Sequence, residues 1–406
     1  MAALSPFRAL RPAPPVAARV AAVPYDVVTT DEARALAAGN PLSFLHVSRA
    51  EIDQPASTSP FADEVYAKAT SNFARLRNEA PFIIEEAPSV YVYRLRMGTH
   101  TQSGIAACYA VDEYERDIIK KHELTRRDKE DDRTRHLLGL GAQTGPVLLT
   151  YRARADVDRL VQRVTTIATP LYDFTAADGV QHTVWRVGAE EERQIVATFG
   201  AVPVLYIADG HHRAASAARA RRQLAGPARA PGEWDWFLAV AFPDSQMQIL
   251  PYNRVVVDLA GMTPDTFLTA LRERFIVKDG PATPERRGEV AVFVDGVWRT
   301  VVLGEAPGAA APVDRLDVTR LQDRVLSPLL RIDDVRADKR IDFVGGARGT
   351  AELEARVRSG AAAIAFSLYP VDVKDLMAIS DAGGIMPPKS TWFEPKLRDG
   401  LLSHLL

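Results

Sequence analysis

Short apolar runs that suit β-strands recur along the 406 residues of the chain, and polar segments with helical spacing lie between them. Strands are predicted where apolar residues alternate or run together over a few positions: SVYVYRLRM, QSGIAACYAV, GPVLLTYRA, HTVWRV, VPVLYIA, FLAVAF, LPYNRVV, EVAVFVDGVWRTVVL and AAIAFSLYPV. Helices are predicted where the pattern is helical: after residue 29, in 61–78, in EEERQIVATF, after residue 210, and in 263–275, 318–330 and 373–380. The order shows no regular strand–helix–strand period, which predicts a mixed α/β (α+β) fold.

Capping and turn residues mark the ends of several of these elements. Thr29 and Glu32 have the spacing of a helix capping box, and Asp295-Gly296 between two apolar runs predicts the tip of a hairpin. The proline-rich first 24 residues predict an extended arm that lies over a surface. Residues 304–312, GEAPGAAAP, predict a loop or short linker.

Composition and charge are those of a soluble globular protein, with 47% hydrophobic and 25% charged residues. The formal net charge of −2 provides no basic field for a nucleic-acid partner. Because Cys108 is the one cysteine, an intrachain disulfide and a multi-cysteine metal site are excluded. Neither a long apolar run nor a signal-peptide pattern is present, which predicts a cytoplasmic protein without a membrane partner.

The first candidate site is the turn Asp209–Arg213, which leads from the apolar run VLYIA directly into an alanine-rich helical segment. A strand-to-helix turn of this kind directs free backbone N–H groups and the positive end of the helix dipole at a bound anion, commonly a phosphate. Gly210 permits a close approach of the backbone, and Arg213 can bind phosphate oxygens with two parallel hydrogen bonds. Asp209 can hold a magnesium ion or accept a proton.

His211 and His212 leave three interpretations of this turn open. They can donate hydrogen bonds to a phosphate, they can bind zinc or iron together with a carboxylate, or they can form a polar helix cap. Adjacent histidines at the start of a helix point about 100° apart, unlike the histidine pair at i, i+4 of a helical zinc site. This spacing favours the phosphate interpretation.

The second candidate site is the charged run IIKKHELTRRDKEDDRTRH, residues 118–136. A solvated helical face is the ordinary interpretation of such a run. However, His122 and Glu123 follow two isoleucines, as expected at the mouth of a pocket. Asp132 and Arg133 combine a carboxylate suited to magnesium with a cation suited to phosphate, the combination that a phosphoryl-transfer site needs.

The third candidate site is the C-terminal loop GGIMPPKSTWFEPKL, residues 383–397. It either packs its aromatic residues against the body of the protein or forms an anion clamp, since Lys389, Ser390 and Thr391 suit a carboxylate or a phosphate. Arg254 interrupts the strand-like run LPYNRVV, and an arginine in a strand normally needs a charged partner.

Taken together, these motifs resemble the domain of unknown function 1015 family of bacteria and archaea over nearly the whole chain. The matching pieces are PFRALRP, VPYDVV, NPLSFLHVSRAEID, IIKKHELTRRDKEDDRTRH, TGPV, YIADGHHRAASAA, LPYNRVV and MPPKSTWFEPKLRDG. The Asp-Gly-His-His-Arg turn is also similar to that of the ParB and sulfiredoxin-like superfamily, whose members bind nucleotide phosphates there. Some members of the family are understood to be ATP-dependent kinases of free L-serine.

The resemblance implies a ParB/sulfiredoxin-like core with large N- and C-terminal elaborations. We expect a nucleotide-binding region at residues 1–260 and a C-terminal α/β region at 261–406 that contributes the Lys389 loop. ATP is the implied cosubstrate and magnesium the implied metal, with Asp209 and Asp132 as its candidate ligands.

Carried over by residue, the resemblance assigns nucleotide binding to Gly210, His211, His212 and Arg213, joined by Arg133. Glu123 is the first candidate for the general base and Asp209 the second. The candidate contacts of a small-molecule substrate are His122, Arg254, Lys389, Ser390 and Thr391.

The function expected from these residues is transfer of a phosphoryl group from ATP to the hydroxyl of free L-serine. Two alternatives stay open: a ParB-like nucleotide-binding regulator, and a kinase of another small hydroxylated metabolite. The sequence does not determine the oligomeric state.

Overall fold

Strands and helices alternate irregularly in a computed structural model of the chain, which describes residues 2–80, 82–226, 231–304, 306, 308 and 310–406. The predicted mixed α/β (α+β) fold is confirmed. The chain divides into two compact units, a first unit of Met1–Met247 with Pro395–Leu406 and a second unit of Gln248–Glu394. The chain therefore passes from one unit to the other twice, where the sequence predicted one boundary near residue 260.

The α-helices of the described residues are α1 (Ala17–Val20), α2 (Thr30–Ala37), α3 (Leu45–Ser48), α4 (Asp63–Glu79), α5 (Val111–Glu115), α6 (Arg127–Leu140), α7 (Ala155–Ile167), α8 (Ala189–Phe199), α9 (His211–Leu224), α10 (Pro264–Arg272), α11 (Asp317–Leu321), α12 (Ser327–Leu330), α13 (Gly349–Arg358) and α14 (Val373–Asp381). No described helix is both long enough and apolar enough to cross a membrane.

The strands of the described residues are β1 (Leu4–Ser5), β2 (Leu10–Pro12), β3 (Phe82–Ile84), β4 (Tyr91–Met97), β5 (His100–Ala110), β6 (Ile119–Lys120), β7 (Ala142–Gln143), β8 (Val147–Tyr151), β9 (Tyr172–Thr175), β10 (Gln181–Arg186), β11 (Leu205–Asp209), β12 (Trp236–Pro243), β13 (Gln248–Leu250), β14 (Tyr252–Val256), β15 (Ile276–Asp279), β16 (Glu289–Val294), β17 (Val297–Val302), β18 (Ile341–Gly345), β19 (Ile364–Leu368), β20 (Trp392–Glu394) and β21 (His404–Leu405).

The first unit is built on a mixed sheet with the strand order β6-β11-β8-β12-β5-β4-β10-β9, to which β1 adds on β5. The pairs β6–β11 and β8–β12 are parallel, and the others are antiparallel. Apolar faces of α7, α8 and α9 pack on the central strands and form the main core of this unit. This sheet matters for function because β11 ends in the Asp209 turn.

Helix α9 lies between the sheet and α6, and small residues surround it: Ala214, Ala217 and Ala218 pack in the core on the sheet, and Ser216 donates to the carbonyl of Glu130 on α6 at 3.4 Å. Small side chains let two helices approach closely while their polar faces stay at the surface. The charged run of residues 118–136 therefore forms β6, a connecting loop and most of α6, in direct contact with α9.

The first 24 residues do not form a surface arm, and this prediction was wrong. They contain β1, β2 and α1, and Phe7, Leu10 and Val20 are almost completely buried. The proline residues fix the backbone between these short elements without preventing burial of the apolar side chains that lie between them.

The C-terminal segment of the first unit returns to its N-terminal part. Asp399 exchanges two backbone hydrogen bonds with Ala22, and Gly400 donates one to Thr144. Strand β21 then pairs with β7. The last residues of the chain thus form part of the walls around α6 and α9 rather than a free tail.

The second unit contains a six-stranded sheet with the order β15-β17-β16-β19-β14-β18. Helix α13 packs on this sheet through Leu353, against Val255, Phe293 and Val344. The pair β13–β20 forms a separate small sheet.

Two local predictions are confirmed in detail. Thr29 and Glu32 form both hydrogen bonds of the capping box at the start of α2. In the β16–β17 hairpin, Asp295 and Gly296 have φ values of 53° and 72°, the left-handed backbone that a two-residue hairpin loop requires. The predicted linker at 304–312 includes residues 305, 307 and 309, which lie outside the described residues.

Replacing Gly400 by alanine is expected to destabilise the protein more than replacing Gly179. Both glycines have a left-handed backbone, with φ of 83° and 80°, but a Cβ at Gly400 would lie 2.5 Å from the Phe44 ring, whereas one at Gly179 meets nothing within 4 Å. We expect Gly400→Ala to lose about 1–3 kcal/mol more than Gly179→Ala in the free energy of unfolding, measured by denaturant titration. Equal losses would show that Phe44 moves aside without cost.

Candidate functional site

The Asp209 turn has the strand–glycine–helix geometry that the sequence predicted, while anion binding there stays a prediction. Gly210 has a φ of 96° and caps α9, and a Cβ at this position would lie 3.0 Å from the guanidinium carbon of Arg213. A side chain at residue 210 would therefore be strained and would displace Arg213. The first turn of α9 leaves backbone N–H groups without partners within the helix, as every α-helix does.

Asp209 is already engaged by two cations of the first unit. Lys396 Nζ donates to Asp209 Oδ2 at 3.1 Å, and Arg213 Nη2 lies 3.8 Å from the same oxygen. Burial opposes ionisation of this carboxyl, but Lys396 and Arg213 hold its pKa below the ordinary value. Asp209 is consequently a weak base that stabilises its surroundings as a permanent anion.

His211 connects the start of α9 to the loop that carries Glu123. The backbone N–H of His122 donates to His211 Nε2 at 3.4 Å, so the proton of the neutral His211 ring lies on Nδ1. That nitrogen is 3.9 Å from Glu123 Oε2. The His122 and His211 rings pack edge to face at 4.4 Å. Burial lowers the pKa of His122 to about 4 and holds that of His211 well below its ordinary value, so both rings are neutral near pH 7.

His212 holds the other end of the same loop. Its Nε2 accepts a hydrogen bond of 3.1 Å from the backbone N–H of Arg126. The two adjacent histidines thus receive backbone N–H groups from residues 122 and 126 and fasten this loop to α9. The sequence suggested histidines that donate to a phosphate; the structure uses one ring nitrogen of each to position the loop, and their contact with a phosphate stays a prediction.

Arg133 and Asp132 lie next to each other on α6. Arg133 Nε donates to Asp132 Oδ2 at 2.9 Å, and its guanidinium carbon lies 4.1 Å from the centre of the Tyr25 ring. Tyr66 donates to the other oxygen of Asp132 at 2.7 Å. Both carboxylate oxygens of Asp132 are therefore occupied by groups of the protein.

The residues predicted to bind magnesium do not fit a preformed metal site. Asp132 and Asp209 are each paired with cations of the protein. Among the described residues, no group of three or more His, Cys, Asp or Glu side chains has the arrangement of a metal site. The role of Asp132 and Asp209 as magnesium ligands stays a prediction of the resemblance.

A pocket of about 60 Å³ opens between α6, α9 and the C-terminal segment of the first unit. Its walls contain Tyr25, Arg133, His136, Arg213 and Asp399, together with apolar side chains. It brings Arg133 and Arg213, which lie far apart in sequence, to one site. Asp399, which the sequence analysis did not single out, completes the charged wall.

Asp399 is 4% exposed, and its carboxylate lies so close to Gly145 that a Cβ there would be 2.5 Å from Asp399 Oδ1. Burial raises the pKa of Asp399 to about 7, with Asp26 adding to the increase and Arg213 and Arg133 opposing it. The group therefore titrates near neutral pH, in a pocket whose arginines remain charged.

The remaining predicted site residues lie in the second unit. Arg254 on β14 is 2% exposed and donates to the backbone carbonyls of Tyr252 and Lys389. Burial lowers the pKa of Arg254 to about 9. Ser390 donates to the carbonyl of Pro387 at 2.6 Å, and Lys389 Nζ lies 5.6 Å from the Tyr252 ring centre. Arg254 and the Lys389 loop are thus neighbours; their contact with a substrate, and that of Thr391 and the buried His122, stays a prediction.

Sequence reasoning missed Lys396, Asp399 and Arg126, although each lies inside a quoted motif. Single charged residues without periodic spacing carry no pattern that marks them as neighbours of Asp209 or Arg213. The one available signal was the charged stretch KLRD immediately before the apolar C-terminal residues, because charge that close to a buried segment needs partners.

Comparisons with known proteins give one family and a set of distant structures. The sequence model of the family described as "Protein of unknown function (DUF1015)" matches residues 4–319. No curated protein matched the chain.

Among solved structures, a free serine kinase mutant in complex with AMP is 13% identical with a TM-score of 0.36, covering 73% of this chain and 92% of that chain. A conserved hypothetical protein from Pyrococcus furiosus is 14% identical with a TM-score of 0.37, covering 74% and 95%. SbnI with a C-terminal truncation, from Staphylococcus aureus, is 11% identical with a TM-score of 0.36, covering 72% and 85%. Likeness at this level carries no argument about function.

Asp399→Asn is expected to change how stability depends on pH. The folded protein holds a proton on Asp399 up to a pKa of about 7, compared with an ordinary value of 3.8. Because the folded protein binds this proton more tightly than the unfolded chain does, protonation of Asp399 stabilises the fold at low pH. This stabilisation is lost as the pH rises through 7, so the variant should gain stability relative to the wild type between about pH 4 and pH 7.

We expect a relative gain of roughly 1–3 kcal/mol at neutral pH, measured by denaturant titration at several pH values. The control is Asp156→Asn, which changes an aspartate of the same unit whose side chain is 40% exposed and pairs with Arg154. A pH profile of Asp399→Asn that runs parallel to the wild type would show that Asp399 titrates normally.

Proposed function

The chain belongs to the family of proteins of unknown function DUF1015, and from the side chains of its first unit we propose that it is an ATP-dependent kinase of free L-serine. The observation that carries the proposal is the position of a half-exposed carboxylate. Glu123 Oε2 lies 3.9 Å from Nδ1 of His211, the first residue of α9. The same helix start contains the turn at Gly210 and the largely buried guanidinium group of Arg213. A phosphoryl-transfer site needs these parts: an anion-binding helix start, a cation for phosphate oxygens and a carboxylate for the hydroxyl proton.

The proposed reaction forms a bond between the serine hydroxyl oxygen and the γ-phosphorus of ATP. The bond from that phosphorus to the oxygen bridging the β- and γ-phosphates breaks, and ADP leaves with the electron pair. Glu123 accepts the proton of the hydroxyl. The products are O-phosphoserine and ADP, with the proton held on the carboxylate until it is released to solvent.

Glu123 is a better candidate for the base than Asp209. Its side chain is 38% exposed, which leaves it accessible to a substrate hydroxyl. Asp209 is held as an anion by Lys396 and Arg213, which weakens it as a proton acceptor. The loop that carries Glu123 is fastened at both ends by His211 and His212. These contacts support Glu123 as a base held in a fixed position. The cations around Asp209 support a stabilising rather than a proton-accepting role for that carboxylate.

Gly210 and Arg213 are the proposed contacts of the nucleotide phosphates. Arg133, which the sequence assigned to the nucleotide as well, lies in the pocket wall beside Asp399. Magnesium belongs in the assay because it normally accompanies the phosphates of ATP. We assign no residue of this chain to it, because Asp132 and Asp209 are paired with protein cations.

The purified protein, mixed with ATP, magnesium and L-serine, is expected to form O-phosphoserine and ADP in equal amounts. Mass spectrometry of the amino acid and a coupled assay of ADP provide independent measurements. No product above a heat-denatured control would overturn serine as the acceptor.

Two further outcomes separate the alternatives. ADP release that appears with another hydroxylated metabolite, but not with serine, would identify a kinase of that compound. Slow ADP release that no acceptor accelerates would indicate a nucleotide-binding regulator.

Glu123→Gln is expected to lower kcat by about 10²–10⁴-fold while the protein remains folded, because the amide keeps the size of the side chain but cannot accept the proton. Glu190→Gln, at an exposed glutamate of α8 that pairs with Arg193, is the matched control and should keep full activity. Full activity of Glu123→Gln would show that another group is the base, and Asp209→Asn would then be the variant to measure.

A further inference from the structure

A buried carboxylate without a partner lies in the pocket of the first unit. Asp399 is 4% exposed. Within the part of the chain that the structure describes, no group donates a hydrogen bond to its side chain and no cation lies within ion-pairing distance. A buried carboxylate without a hydrogen-bond donor costs free energy, because it has lost its contacts with water and gained none in return. An N–H-rich ligand in the pocket would do so.

The same pocket contains cations that can bind the opposite end of such a ligand. Arg133 uses Nε for Asp132, and none of the described residues accepts from its two terminal nitrogens. Arg213 donates through Nη1 to the Pro146 carbonyl, while its buried Nε has no partner among those residues. The two terminal nitrogens of Arg133 are suited to a carboxylate, which they can bind with paired hydrogen bonds, while Arg213 stays available to the phosphates at the start of α9.

The size of the pocket restricts the ligand. A volume of about 60 Å³ holds about four to six water molecules at 10–15 Å³ each. This is the space of a few heavy atoms, enough for the polar end of a small metabolite and too little for a nucleoside. The apolar side chains Leu137, Phe237 and Leu238 of the walls lower the local polarity around the charged groups, which strengthens each charge–charge contact.

We propose that this pocket binds the charged end of a free α-amino acid, with Asp399 accepting from its ammonium group and Arg133 facing its carboxylate. Asp399 is then the residue that distinguishes an amino acid from a hydroxy acid. The inference rests on the proposed function only for the choice of L-serine as the amino acid to test.

Isothermal titration calorimetry with the wild-type protein, with and without ADP, tests the pocket directly. The ligands are L-serine, glycerate, in which a hydroxyl replaces the ammonium group, and ethanolamine, which lacks the carboxylate. We expect L-serine to bind at least about tenfold more tightly than either analogue, because each analogue leaves one buried charge unsatisfied. Glycerate binding as tightly as L-serine, or no binding of L-serine under either condition, would overturn the proposal.

Asp399→Asn then isolates the contribution of the carboxylate. The variant should weaken L-serine binding by about 10–100-fold and leave glycerate binding unchanged or stronger, because the amide cannot balance an ammonium charge. A purely structural role of Asp399 would weaken both ligands by the same factor, which would overturn the assignment. Asp156→Asn is the folded control, and its affinities should equal those of the wild type.

The binding and turnover measurements can reject the amino-acid pocket and the kinase proposal separately. Selective binding of L-serine without phosphorylation would retain the amino-acid pocket and reject the kinase. Phosphorylation of L-serine with equal binding of glycerate would retain the kinase and reject the role of Asp399.

Discussion

The ion pair between Lys396 and Asp209 joins residues 187 positions apart and anchors the site of the first unit. Asp209 ends β11 at the glycine turn, and Lys396 is the second residue of the segment that returns from the second unit to the first. Removing either partner would deprive a partly buried charge of one counterion, which is more costly than loss of an exposed pair. The pair thus holds the C-terminal segment where Asp399 can line the pocket beside Arg133 and Arg213.

A second constraint acts on the loop between β6 and α6. His211 and His212, adjacent at the start of α9, accept backbone N–H groups from the two ends of this loop. Because neutral histidine has one acceptor nitrogen, each contact also determines the position of the ring proton. The position of Glu123 is therefore coupled to the helix start at which we propose that the phosphates of ATP bind.

Two carboxylates, Asp209 and Asp399, stabilise the positive charge of Arg213. Asp209 faces it at 3.8 Å and Asp399 lowers the cost of its charge from the pocket side. The carboxylates differ in state: Asp209 is held ionised by Lys396, whereas burial raises the pKa of Asp399 to about 7. One carboxylate is permanently satisfied within the protein and the other has capacity for a ligand, which is a common way for a fold to separate structural from binding roles.

Much of the local structure was determined by the sequence itself. The capping box at Thr29, the hairpin tip at Asp295-Gly296 and the strand–glycine–helix turn at Gly210 follow from residues that are neighbours in sequence, and local backbone preferences decide such features. The mixed fold followed from the same periodic patterns. Tertiary structure alone decided the burial of the first 24 residues, the return of the C-terminal segment, and the meeting of Asp399 with Arg133 and Arg213. Those contacts join residues far apart in the sequence, and no local pattern encodes them because they depend on which apolar faces pack together.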